Sequence, residues 1–233
     1  MADCFAARTD AKTIPITPLT HNEVDKWTKK QQKSVAAWVT NSGFDAKPGA
    51  VLSIPTQLLA KPTTKNAIGM VLVGTTGPDD IWSWGAIGDK LPAGRYTIAG
   101  KPSVKEATRL SIGWGLGAYR FGRYKDVAEP AAKLVIPSSA DKGAVDRTVS
   151  SINLTRDLIN TPASDMGPAE LADSARALAK EFKATFKVTV GDKLLKDNFP
   201  SIHAVGRASV REPRLIDFKW GCASDPKITL VGK

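Results

Sequence analysis

Little in this sequence serves as a staple or as a ready-made catalyst. Its 233 residues contain two cysteines, Cys4 and Cys222, and two histidines, His21 and His203. The cysteines lie far apart, with no C-x-x-C and no histidine at ligand spacing, so they read as free thiols and not as a disulfide framework or a zinc site. No stretch approaches the roughly 18 uninterrupted apolar residues of a membrane-spanning helix. The opening MADCFAAR carries an acid where a secretory leader would carry positive charge, and no apolar run follows it; a cytoplasmic protein is expected. H-E-x-x-H, G-x-S-x-G and the G-x-x-x-x-G-K-S/T phosphate loop are all missing. His21 in a polar helix entry and His203 among small and apolar residues read as hydrogen-bonded or exposed side chains.

What is present is an ordinary globular composition, 42% hydrophobic and 24% charged. A chain of this length can remove roughly 70% of its unfolded surface from water without a metal or disulfide. Lysine and arginine number 33 against 23 acids, a net charge of +10. That balance favours anionic partners, nucleic acid among them, or simply keeps the protein in solution. The densest cluster, KWTKKQQK at residues 26–33, falls inside a helical pattern and reads as a solvated helix face. At residues 119–125, YRFGRYK interleaves aromatics with Arg120, Arg123 and Lys125, as a single-strand-binding surface would; the competing reading is an aromatic anchor at a helix end with cations around it. GWGLG at residues 113–117 lacks the spacing of a dinucleotide loop, and the acid pair Asp79 and Asp80 after Gly77-Pro78 reads as an exposed turn before it reads as a cation site.

Periodicity divides the chain into elements. A helix is expected over residues 23–41 and strands over 50–54 and 68–74. Residues 82–99 should hold a turn and a strand, and residues 103–118 a helix weakened by three glycines. Residues 134–137 read as a short strand or an extended exit, inside residues 130–143, which have the composition of a connection. Val145, Val149, Ile152 and Ile159 mark one face of a helix over 143–160. A second helix over 168–182 has proline in its first turn and Leu171, Ala175, Leu178 and Phe182 as its apolar stripe. Strands are expected at 186–190, 214–219 and 227–231, with a short helix at 192–198. Strands alternating with helices imply a largely parallel, helix-covered α/β sheet.

Four segments, in order, carry a resemblance: RDLINTPASDMGP at 156–168, FPSIHAVGRAS at 199–209, PRLIDFKWG at 213–221 and ITLVGK at 228–233. Together they resemble the leucyl (cytosol) aminopeptidase family, and AYRFGRYK at 118–125 resembles a helix end in that family's more variable first domain. The resemblance implies a small amino-terminal α/β (macro-like) domain over 1–140, a linker helix over 141–162, and the incomplete start of an α/β catalytic domain, with a mostly parallel sheet, over 163–233. It also implies a metallo-exopeptidase releasing amino-terminal residues from peptides with two divalent ions, zinc, manganese or magnesium, in a hexamer. The family's V-G-K-G lysine, a metal ligand, corresponds to Lys233. The further ligand carboxylates, the catalytic lysine and the arginine that follow in the family pattern have no counterpart in these residues. The expectation is therefore an amino-terminal part of an aminopeptidase, with no catalytic residue of its own, no stably bound metal and no activity alone. Its last strand should leave an unpaired edge and uncovered apolar faces.

Overall fold

The structure, a computed structural model, describes residues 3–232. The chain divides into two units, Met1–Asp157 and Leu158–Lys233.

The first unit is built on a strand that local rules argue against. Ile14–Leu19 (β2) carries Pro15 and Pro18, yet it lies in the middle of a six-stranded sheet. Each proline removes a ladder donor worth about 1 kcal/mol. The alternating Ile14 and Ile16 and the terminal Leu19 are 1%, 0% and 5% exposed, and each such burial returns roughly 1.5–3 kcal/mol. Apolar burial wins. The neighbours of β2 are Ile68–Gly74 (β4) on one side and Gly94–Ile98 (β5) on the other, both parallel to it. Ala132–Val135 (β6) and the two-residue Phe5–Ala6 (β1) extend the parallel set beyond β5, while Val51–Pro55 (β3) closes the other edge antiparallel to β4.

Two helical layers cover the sheet. Successive residues of β4 face opposite ways, as strand geometry requires: Val71 and Val73 join a core with Trp84, Tyr96, Leu110 and Trp114, and Leu72 joins Val35, Val39 and Ile54. The first core sits beneath Trp82–Gly85 (α3) and Val104–Gly117 (α4), the latter opened by Ser103, whose hydroxyl accepts the Glu106 N–H at 3.3 Å. Gly113, Gly115 and Gly117 do not weaken α4; they let it pack. A side chain at Gly113 would overlap the Ile81 carbonyl, and one at Gly117 would overlap the Gly85 backbone, so α3 rests directly on the α4 backbone. Val145 and Val149, at the start of Lys142–Asn160 (α5), pack with Ile136. The expected apolar face of α5 is not continued, since Ile159 is 74% exposed.

The helix expected over 23–41 is two helices, Val24–Thr28 (α1) and Lys33–Ser42 (α2). Lys26, Lys29, Lys30 and Lys33 repeat at three- and four-residue spacing, so a continuous helix would stack like charges on neighbouring turns. α1 ends at Thr28, and the backbone is extended at Gln32 (φ −63°, ψ 155°) before α2 begins at Lys33. Gly43, at φ 64°, ends α2 in the left-handed conformation that glycine accepts.

The second unit contains Pro168–Glu181 (α6), Thr185–Val190 (β7), Lys193–Lys196 (α7), Pro200–Gly206 (α8) and Arg214–Lys219 (β8). The parallel pairing of the fold resides in the six-stranded sheet; β7 and β8 pair antiparallel. The stripe of α6 is rotated from its expected position: Ala172 and Ala179 are buried, whereas Leu171 and Phe182 are 43% and 47% exposed. The strand expected at 227–231 does not form. Ile228, Leu230 and Val231 are exposed, and these residues join no sheet; apolar alternation makes a strand only where a neighbour supplies the ladder. No described helix is long and apolar enough to cross a membrane.

Candidate functional site

The features singled out in the first half of the sequence resolve into structural contacts. Asp79 is an exposed carboxylate paired with Lys105 at 2.9 Å and with Arg109. Asp80 departs from the exposed-turn reading, being largely buried. It accepts the Thr76 N–H at 2.8 Å, the Ser83 N–H at 3.0 Å and the Ser83 hydroxyl, and so holds the entry to α3. Burial pushes the Asp80 carboxyl up, but these bonds together outweigh it and hold the group below the usual carboxylate range. Neither acid belongs to a cation site: no group of three His, Cys, Asp or Glu side chains among the described residues is placed to hold a metal.

YRFGRYK takes the anchoring role. The Tyr119 hydroxyl donates to Asp157 at 2.7 Å and its ring lies beneath the Arg156 guanidinium at 5.2 Å. Arg120 pairs with Asp89 and donates to the Gly117 carbonyl at 3.1 Å, capping the end of α4. Phe121 packs edge-on against Tyr124, over which Arg123 lies at 5.7 Å. Tyr119, Arg120 and Phe121 are engaged within the protein, whereas Tyr124 is 52% exposed and Arg123 and Lys125 face solvent. A cavity of about 310 Å³ opens beside them, lined by Cys4, Arg120, Asn153 and Asp157 among others. Cys4 is buried, which pushes its thiol up to about 11, and Cys222 is exposed; both are free. His21 Nδ1 lies 2.9 Å from the Asp45 carbonyl oxygen.

Three of the four resembling segments contain a helix or a strand. Residues 156–168 run from the end of α5 through a turn, in which the Asp165 and Met166 amides donate to the Pro162 carbonyl, into α6. Pro168 occupies the first turn of α6, and Glu170 accepts the Gly167 N–H at 2.9 Å. Bonds from its own N–H and from Gly167 hold the Glu170 carboxyl below the usual range. Arg211 was not anticipated from sequence. It reaches the carbonyls of Ala163, at 3.1 Å, and Ser164, with Glu170 at 3.9 Å, and so ties the turn before α6 to the chain before β8. Its sequence setting gives no signal, since Arg207 and Arg214 nearby are equally basic. Residues 199–209 contain α8, whose His203 Nε2 lies 3.1 Å from Asp192, and residues 213–221 contain β8. Lys233, the expected metal ligand, lies outside the described residues.

Comparison with known proteins gives these segments a common setting. The family model for the M17 aminopeptidase N-terminal domain matches residues 14–137, and that for the catalytic domain of the cytosol aminopeptidase family matches residues 153–233. A probable cytosol aminopeptidase of Roseiflexus castenholzii is 36% identical over 142 residues, which cover 54% of this chain and 29% of that protein. A second, from Streptomyces avermitilis, is 29% identical over 226 residues, covering 85% of this chain and 44% of that protein. The solved structure of the cytosol aminopeptidase of Coxiella burnetii matches with a TM-score of 0.86 and 36% identity over 97% of this chain and 48% of that one. The bottromycin maturation enzyme BotP, solved in complex with Mn, shares the fold at 23% identity and a TM-score of 0.66. The chain thus spans about half of these solved structures, and 29% and 44% of the two curated relatives.

Proposed function

The chain belongs to the cytosol aminopeptidase (M17) family, and from that premise we propose that it supplies the first domain and the opening of the catalytic domain of a metal-dependent leucyl aminopeptidase. Such an enzyme releases amino-terminal residues from peptides. The observation that carries the reading is the order of the two family matches, 14–137 and then 153–233. In this reading residues 1–140 form the first domain, 141–162 the linking helix and 163–233 the start of the catalytic domain. A cytoplasmic location and a hexameric complete enzyme belong to the same proposal.

Lys233 is assigned as a metal ligand. An amine coordinates only when deprotonated, so adjacent divalent charge must lower its pKa from about 10.4. One amine cannot hold two divalent ions, zinc, manganese or magnesium, each of which calls for several further oxygen or nitrogen donors. Among the described residues no group of three His, Cys, Asp or Glu side chains is placed to supply them, so no catalytic step is assigned to these residues, and the reading expects no peptide hydrolysis by the chain alone.

Two experiments test the proposal. The purified chain, given leucine-p-nitroanilide with manganese or zinc, should show no turnover above the blank, and robust metal-dependent turnover refutes the claim of inactivity. A chimera in which residues 1–233 replace the matched 48% of the Coxiella burnetii enzyme should release leucine in a metal-dependent way and lose that activity with Lys233→Met. A folded chimera that is inactive, or indifferent to Lys233→Met, overturns the assignment.

A further inference from the structure

The lysine cluster at residues 26–33 plays no part in the peptidase reading, and it breaks a helix that apolar spacing would otherwise continue. Its neighbourhood has a distinct shape. A groove of about 280 Å³ runs between the start of α2 and the chain beyond β3, with Pro15, Val35, Leu59 and Met70 as its aliphatic lining. Leu59 lies close against the strand because Gly69 has no side chain; a Cβ there would meet Thr56 Cα at 2.9 Å and overlap Leu59. Gln31, Gln32, Lys61 and Thr63 complete the lining. Lys29, Lys30 and Lys33 flank the two glutamines in sequence, and Lys65 follows the 61–63 segment; all four, and Lys61, are exposed. Among the described residues none of these five has an acidic partner within 4.0 Å. Asp25, one turn before Lys29, is the nearest acid along α1, and Glu23 is occupied by Thr20.

We infer that this lysine-rimmed groove is a docking surface for an acidic peptide segment that carries an aliphatic side chain between its carboxylates. Charge complementarity selects an anion, because Lys61 lines the groove and Lys29, Lys30, Lys33 and Lys65, each exposed, lie within two residues of its lining along the chain. The lining selects a peptide over a nucleic acid: it offers aliphatic contacts and no aromatic ring on which a base could stack. The inference is independent of the aminopeptidase reading, since it concerns only the first unit.

The test uses the full 233-residue chain and the fluorescein-labelled peptide Glu-Glu-Leu-Leu-Glu-Glu, followed by fluorescence anisotropy at low salt. Binding is expected, and it should weaken as ionic strength rises and the Debye length shortens. The triple variant Lys29→Glu, Lys30→Glu, Lys61→Glu should bind about tenfold more weakly, the loss of three exposed charge pairs together. Reversing three lysines away from the groove, Lys101, Lys125 and Lys142, should change the affinity little. Near-ultraviolet circular dichroism checks that both variants are folded. Substituting Glu-Glu-Ser-Ser-Glu-Glu should abolish most of the affinity. Equal binding of the serine peptide, competition by oligothymidine as strong as by the leucine peptide, equal loss in both triple variants, or no binding at low salt overturns the inference.

Discussion

Gly113→Ala separates two explanations of why α4 is rich in glycine, because they predict opposite signs. Glycine in the interior of a helix costs about 1 kcal/mol relative to alanine, so on helix propensity alone the substitution stabilises. The tertiary structure says otherwise. A Cβ at residue 113 would overlap the Ile81 carbonyl oxygen and lie 2.9 Å from Trp84 Cβ and 3.1 Å from the Ile81 carbonyl carbon. Two of those atoms are backbone and cannot turn aside, so the cost falls at the upper end of overpacking, about 3 kcal/mol. The net expectation is a loss of about 2 kcal/mol, or about 4–8 °C in Tm for a unit of this size. Trp84 and Trp114, 3% and 2% exposed, lie in the affected core, so urea unfolding followed by tryptophan fluorescence reads it directly. Gly115→Ala is the comparison: its Cβ would meet Val149 methyls at 2.7 and 3.1 Å and Phe5 Cζ at 3.2 Å. These are side-chain atoms and not backbone, although the branched Val149 has little rotamer freedom, so Gly115→Ala should cost less than Gly113→Ala once the gain in propensity is counted. A Gly113→Ala midpoint equal to or above that of the parent would refute the argument that α3 rests on the α4 backbone.

Other consequences follow from the same contacts. In the native protein a thiol-specific chromogenic disulfide should titrate Cys222 quickly and Cys4 only after denaturation, since Cys4 is buried and its thiol is pushed up to about 11; two fast thiols would contradict the burial. Asp80→Asn should cost about 1–2 kcal/mol, because an amide cannot accept all three of the bonds from Thr76 and Ser83. The folded pKa of Asp80 lies below its unfolded value of about 3.9, so its contribution is present above that pH and is lost as pH falls through the folded pKa. The stability difference between parent and Asp80→Asn should therefore shrink on acidification. Arg211→Ala should speed amide hydrogen exchange in residues 161–167 and leave the six-stranded sheet unchanged, because Arg211 holds the Ala163 and Ser164 carbonyls; unchanged exchange in that turn would show the contact to be idle.

Local signals in the sequence located many of the elements. Apolar runs at 50–54 and 68–74 and Pro168 opening α6 each act within a few residues, and each appears in the structure as an element or its first turn. Where the sequence misled, a distant partner decided. Pro15 and Pro18 argue against a strand, yet β2 is central because flanking strands and both helical layers bury Ile14, Ile16 and Leu19. Residues 227–231 alternate like a strand but find no neighbour. Of the candidate functional residues, Lys233 rested on family resemblance alone, whereas Arg211 could be found only from the two carbonyls that it reaches from 47 and 48 residues away.

The sequence by itself determined the alternation of helices and strands, the positions of several caps and turns, and the order of motifs that marks the family. It could do so because periodicity and capping are properties of neighbouring residues. Tertiary structure decided which surface each element buries, as with the alanine stripe of α6, and whether a glycine is a weakness or a packing surface. It also decided whether a cation joins an internal ion pair, as Arg120 does with Asp89, or faces solvent beside an apolar groove, as Lys61 does. Those outcomes depend on atoms brought together from across the chain, and no window of sequence contains them.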